Sequence, residues 1–320
     1  MMRTARMLGI LIQHEMRTLA RERTFLLLLG LFFAMTFFSV YIGWATRATT
    51  FAIYDSTAAL LHSSGVANVR PNPLIGVSPL AVFDNMIVYI LLVGALLAIV
   101  IGHRSFMRER RSGVIPLVFV RPLSKGEYLA GKLLGIALAL AVIMLLTFIV
   151  SAVSALLIPA LHLSTTELIR LGGFYALSFL YLSFFAIAGL LAAILLSSES
   201  IALFAPIMLW IGLVFILPEL STGQNPVALL NPITLSQATP SPAPFFVLMR
   251  AVLAPFSVGQ YYTGGALAIL KVNSGIPFSS MQLIADAGGS IVGLIAYLAL
   301  LCGAAQAAMR SYAIASDALL

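Results

Sequence analysis

The chain has 320 residues, 61% of them hydrophobic and only 9% charged, whereas soluble domains carry about 25% charged residues. A water-soluble fold of this composition would bare large apolar patches and aggregate, so the surface requires a bilayer as its solvent. The formal charge of +7 is modest. The basic residues border apolar runs with no phosphate-tracking pattern, which speaks against nucleic acid as a partner.

In chain order, residues 1–23 mix Arg3, Arg6, Arg17, Arg21 and Arg23 with Met7, Ile10, Leu11 and Leu19, the pattern of an amphipathic helix lying at the membrane interface. A first span is predicted over 25–44. It is long enough to cross and is not followed by a small-x-small cleavage site, so it reads as a retained helix and not a signal peptide. A polar, turn-rich segment with Pro71-Asn72-Pro73 is expected over 45–84. The second span is placed at 86–102.

Charge then rises abruptly. Arg104, Arg108, Arg110, Arg111, Arg121, Lys125 and Lys132 follow, against Glu109 and Glu127 only. An apolar strip from Val114 to Val120 lies inside this stretch, and Arg121-Pro122 closes it. The third span is expected over 128–157. Ser124 and Glu127 have capping-box spacing at its start.

A polar link at 162–170 leads to a fourth span at 171–196. Ser197-Ser198-Glu199-Ser200 forms a tight polar turn into a fifth span at 201–217. The region 218–286 is rich in proline and reads as external. Its apolar stretch, 245–262, is too short to cross and is expected as an interfacial or re-entrant helix. The last span is placed at 288–308. The predicted fold is therefore all-α: a polytopic membrane protein with six transmembrane helices and an N-terminal interfacial helix, in a single transmembrane domain over 1–320.

With both termini cytoplasmic, the inner segments hold thirteen of the eighteen lysines and arginines, leaving Arg47, Arg70, Arg170, Arg250 and Lys271 outside. The positive-inside rule favours this orientation in a cell (plasma or inner) membrane. The hydrophobic cores from the second to the sixth span hold no Asp, Glu, Lys, Arg or His, which weakens a proton-coupled transporter. No His-Glu-x-x-His and no Gly-x-x-x-x-Gly-Lys-Ser/Thr occurs. Cys302 is the single cysteine and allows neither a disulfide nor a thiolate cluster within the chain. No catalytic, metal or cofactor set emerges, so the chain reads as a non-enzyme. Segment 103–127 is the strongest functional signal, since charge beside an apolar strip and a capped helix suits docking of a soluble partner.

The run Arg-x-x-x-Arg-Glu-Arg-Arg-Ser-Gly, from Arg104 to Gly113, resembles the segment after the second span of ABC-2 type exporter permeases. The order continues through Arg121, Pro122, Ser124, Lys125, Glu127, Gly131 and Lys132, with Asn231-Pro232 after the fifth span. Within the family, the likeness is closest to the branch that includes the nitrous-oxide-reductase maturation permease. The resemblance implies a permease subunit that binds no cofactor itself. It also implies an ABC ATP-binding protein on the cytosolic face, which holds ATP and Mg, and a second permease subunit forming a homodimer in lipid. Coupling would fall to Arg104, Arg108, Glu109, Arg110, Arg111 and Gly113, with Glu199 as a second contact. Arg121, Pro122, Ser124, Glu127, Gly131 and Lys132 would shape the loop and the helix start. The sequence departs from the family at Val114, and Pro116 is expected to interrupt the local helix. A secondary transporter or channel without an ATPase partner, and a non-transporting assembly protein, remain the alternatives.

Overall fold

The computed structural model describes residues 9, 13–18, 21, 23–65, 69, 72, 78–120, 123–158, 161, 163–223, 241–270 and 280–312. Among them every regular element is helical. Six helices are long and apolar enough to cross a membrane: Phe25–Ser63, Pro79–Arg111, Lys125–Leu156, Thr165–Leu195, Glu199–Thr222 and Ala287–Ser311. Of the interfacial helix expected over 1–23, residues 13–18 are helical, while Arg3 and Arg6 lie outside the described residues.

The first helix, Arg23–Ser63, has 41 residues, so the turn-rich segment expected from residue 45 is helical as far as Ser63. Its serines and threonines bond back along the helix instead of breaking it. Thr50 Oγ1 donates to Thr46 O, Thr57 Oγ1 to Ile53 O and Ser63 Oγ to Leu60 O. The chain leaves the helix only at Gly65, whose φ of 85° is one that a glycine adopts without strain.

The second and fourth spans form the centre. In their most apolar windows 72% and 78% of residues are buried, against 17–39% in the other four. The two run in the same direction and touch backbone to backbone. A Cβ on Gly102 would fall 1.7 Å from Ala186 O, and one on Gly189 would fall 2.4 Å from Ile99 O. Lipid tails are as apolar as leucine, so such close packing, together with hydrogen bonds, holds the bundle together. The remaining spans present Leu27, Phe37, Phe204, Met208 and Val292 outward, each more than half exposed, as a lipid-facing surface requires.

Two helix starts show the same local chemistry. Ser124 and Glu127 form the expected capping box. Ser164 and Glu167 form another, so the fourth span begins at Thr165, inside the segment read as a link. The second and fifth spans each contain a π-helical turn, Ile90–Gly94 and Gly212–Ile216. Before the last helix, Ser280–Ser311, lie two short helices, Pro244–Leu253 and Val258–Leu270. The first has no buried residue. The second buries Tyr262, Ala266 and Leu270 among the fourth and sixth spans.

Candidate functional site

The basic end of the bundle is assembled by helix ends. The second span does not stop near residue 102. It continues as one helix to Arg111, because the stretch from His103 to Arg111 contains no glycine or proline to break helical geometry. His103 itself is buried, with its backbone close to Gly189 of the fourth span. The chain turns at Gly113, whose φ of 66° leads into a short helix, Val114–Phe119. Pro116 does not interrupt that helix as expected. It sits in the first turn, where its missing N–H has no helical partner to lose.

Lys132, two turns into the third span, is buried and shares its ammonium among three acceptors. Its Nζ donates to Glu15 Oε2 at 2.7 Å, Ser105 O at 2.7 Å and Glu109 Oε1 at 2.5 Å. One turn earlier, Tyr128 donates its hydroxyl to Glu109 Oε2. Arg108 stands 3.6 Å from Glu15 Oε2. Two carboxylates thus face two cations, joining the N-terminal helical segment 13–18 to the second and third spans. Phe106 and Phe119 pack their rings on Tyr128 and close the cluster from the side. Burying ions is costly, so such a network adds little net stability while it is complete. Removing one member leaves an uncompensated charge.

The neighbouring cations serve helix ends. Arg110 Nη1 donates to Leu196 O at 2.8 Å and so caps the fourth span, where positive charge meets the negative end of the helix. Lys125 does the same for the last helix, donating to Tyr312 O at 2.8 Å and Arg310 O at 3.1 Å. Arg111 meets Glu199 at 3.1 Å, with both side chains substantially exposed. Beside that pair, Val114, Leu117 and Val120 are 38%, 66% and 82% exposed, while Ile115 anchors the short helix in the core.

The sequence-predicted residues therefore divide. Arg108, Glu109, Arg110 and Lys132 are turned into the bundle; Arg111 and Glu199 are on its surface; Gly113 is the turn between helices. Arg104 lies half-buried on the second span, and Gly131 is buried in the third. Ser124 and Glu127 cap, while Arg121, Pro122, Asn231 and Pro232 lie outside the described residues. Sequence reasoning missed Glu15 and Tyr128. The available signal was two acids, Glu15 and Glu22, among five arginines, with Lys132 standing at the start of the third span, before its apolar core. His14, Glu15 and Glu109 approach one another closely enough to suggest a cation site. The Lys132 ammonium already occupies the position that a metal would take between those carboxylates.

A second polar centre lies deeper. Leu91 O, in the π-turn of the second span, accepts from Tyr181 Oη at 2.9 Å and Trp210 Nε1 at 3.1 Å. Tyr181 stacks on Tyr262 with ring centroids 4.4 Å apart, and Tyr262 Oη lies 3.2 Å from Ser178 Oγ. Leu213 O, in the other π-turn, accepts from Ser257 Oγ. Wide turns of this kind mark functional positions in many helices.

A family model described as ABC-2 family transporter protein matches residues 10–305. Among curated proteins no sequence matches the chain. The matched stretch takes in Glu15, Glu109 and Lys132, both π-turns and nearly the whole of the six spans. The chain belongs to the ABC-2 family of membrane transporters.

Proposed function

We propose that this chain is the transmembrane permease subunit of an ATP-driven exporter, moved by a separate ATP-binding protein that holds ATP and Mg. The carrying observation is the short helix Val114–Phe119, which with the residue after it offers Val114, Leu117 and Val120 beside the exposed Arg111–Glu199 pair. Apolar surface rimmed by charge, at the basic end of the bundle, has the make-up of a protein-docking patch. Arg111 and Glu199 make the outer contact. Glu109, Arg108 and Lys132 carry displacement inward to the N-terminal segment and the third span, with Gly113 as the pivot.

On this reading the docking end and both termini are cytoplasmic in a cell membrane, as the distribution of arginine and lysine supports. A second permease subunit, a copy of this chain, completes the assembly. The second span is mostly enclosed within its own bundle, so the fifth span, with Phe204 and Met208 outward, supplies more of the surface between copies.

The test is reconstitution of the chain with the ATP-binding protein that co-purifies with it. Leu117→Asp is expected to abolish the stimulation of ATP hydrolysis by the permease while membrane insertion is retained. Undiminished stimulation in that variant, or the absence of any co-purifying ATP-binding protein, overturns the proposal.

A further inference from the structure

The first helix carries its own ruler of membrane depth. Arg23 and Arg47 are 24 residues apart, and no Asp, Glu, Lys, Arg or His lies between them. At 1.5 Å per residue they stand about 36 Å apart, spanning a hydrocarbon core of about 30 Å with a margin at the headgroups. Arg47 is thereby placed at the headgroup level. Tyr41 and Trp44 lie just inside it, where interfacial aromatics gather.

Below Arg47 the first and third spans part around a cavity of about 370 Å³. Phe37, Tyr41 and Trp44 line one wall, and Ser154, Leu157 and Ile158 the other. Phe37, Tyr41 and Leu157 are each more than half exposed, so the cavity opens toward the lipid. Its volume lies within the range of about 300–1,000 Å³ typical of ligand pockets. Trp44 and Arg47, three residues apart, share one side of the helix. Arg47 reaches Ser78 O at 3.5 Å and lies over the Phe51 ring, contacts that engage one of its five N–H donors.

We propose that this crevice is a site for an anionic phospholipid, with one acyl chain between the first and third spans and its phosphate on Arg47. The apolar walls alone give little preference, since a lipid tail is equally at home in the bilayer. Selection comes from the guanidinium, which pairs with a phosphate through two parallel hydrogen bonds. The site depends on membrane embedding only, and not on the export reading, so the two stand or fall separately.

The chain has two tryptophans, Trp44 and Trp210, which makes Trp44 a natural reporter. The full chain carrying Trp210→Phe is placed in vesicles containing chain-brominated phosphatidylglycerol or chain-brominated phosphatidylcholine. Trp44 emission is expected to reach half-maximal quenching at about five-fold lower mole fraction of the anionic lipid, as one arginine at a membrane surface provides. Arg47→Gln should bring the two curves together, and Ser154→Phe, which fills the crevice, should lower quenching by both lipids. Identical curves without the Arg47 change overturn the proposal. So does quenching that Ser154→Phe leaves unaltered, and so does a Trp44 that neither lipid quenches, as when a second copy covers the crevice. Because Trp210 bonds to Leu91 O, native mass spectrometry of the unsubstituted chain provides an independent reading. Retention of phosphatidylglycerol over phosphatidylcholine, lost in Arg47→Gln, is expected; no preference overturns the proposal.

Discussion

The two polar centres of this bundle solve one problem with different chemistry. At the basic end, Lys132, Glu15, Glu109 and Arg108 bury full charges in near balance. Deeper in, Tyr181, Trp210, Tyr262 and Ser178 use neutral hydroxyl and indole groups to meet one another and the Leu91 carbonyl. A charge at mid-membrane would lose its hydration with no nearby escape, so the deep centre is built from groups that need one partner each. Near the end of the spans, ions are tolerated because each can be matched by another. The charged centre should therefore be brittle to single changes, and the neutral one graded.

The largest expected effect lies between the centres and breaks both. Gly102→Val puts side-chain atoms where the Ala186 carbonyl already stands, forcing the second and fourth spans apart. A loss of about 5 kcal/mol or more is expected, seen as loss of the monodisperse protein peak in detergent. Next is Lys132→Met, which leaves two carboxylates facing Arg108 alone. It should destabilise by about 3–5 kcal/mol, with much of the loss recovered in Lys132→Met/Glu109→Gln. Thermal unfolding of the purified chain reads both, and a double variant no better than the single would remove the argument from charge balance.

Smaller effects sharpen the contrast. Tyr181→Phe leaves Trp210 on Leu91 O and should lower stability by only about 1 kcal/mol, whereas Tyr181→Phe/Trp210→Phe should exceed the sum of the singles. The same thermal unfolding measurement decides this, and strict additivity would break the idea of a shared carbonyl. Smallest of all, Arg111→Glu removes an exposed pair and should change stability by less than about 1 kcal/mol. If the coupling proposal holds, the same variant lowers partner-stimulated ATP hydrolysis, so stability and coupling separate at that position.

Much of this architecture was legible in residue order. The six apolar runs and the Ser124–Glu127 box depend on local spacing, and local spacing is what a sequence displays. The Ser164–Glu167 box has the same signature, yet Thr165, Thr166 and Arg170 mask the apolar run behind it. The helix beyond residue 45 was hidden because serine and threonine read as turn formers until their hydroxyls are seen bonding back along the helix. The pairing of Glu15 with Lys132 joins residues 117 apart in the chain, and no periodicity encodes such a distance. The same holds for the division among the arginines: Arg110 and Arg111 are adjacent in sequence, but one caps a helix and the other meets water.

The first helix continues for sixteen residues past Arg47, to Ser63. With Arg47 at the headgroups, as proposed above, 1.5 Å per residue makes that a rod of about 24 Å projecting from the bilayer. For a 34.2 kDa protein whose remaining mass is mostly sheathed in detergent or lipid, such a rod is a ready mounting point. A rigid helical protein fused in phase near Ser63 would inherit its direction. It would give an electron microscope an asymmetric landmark by which to orient each particle.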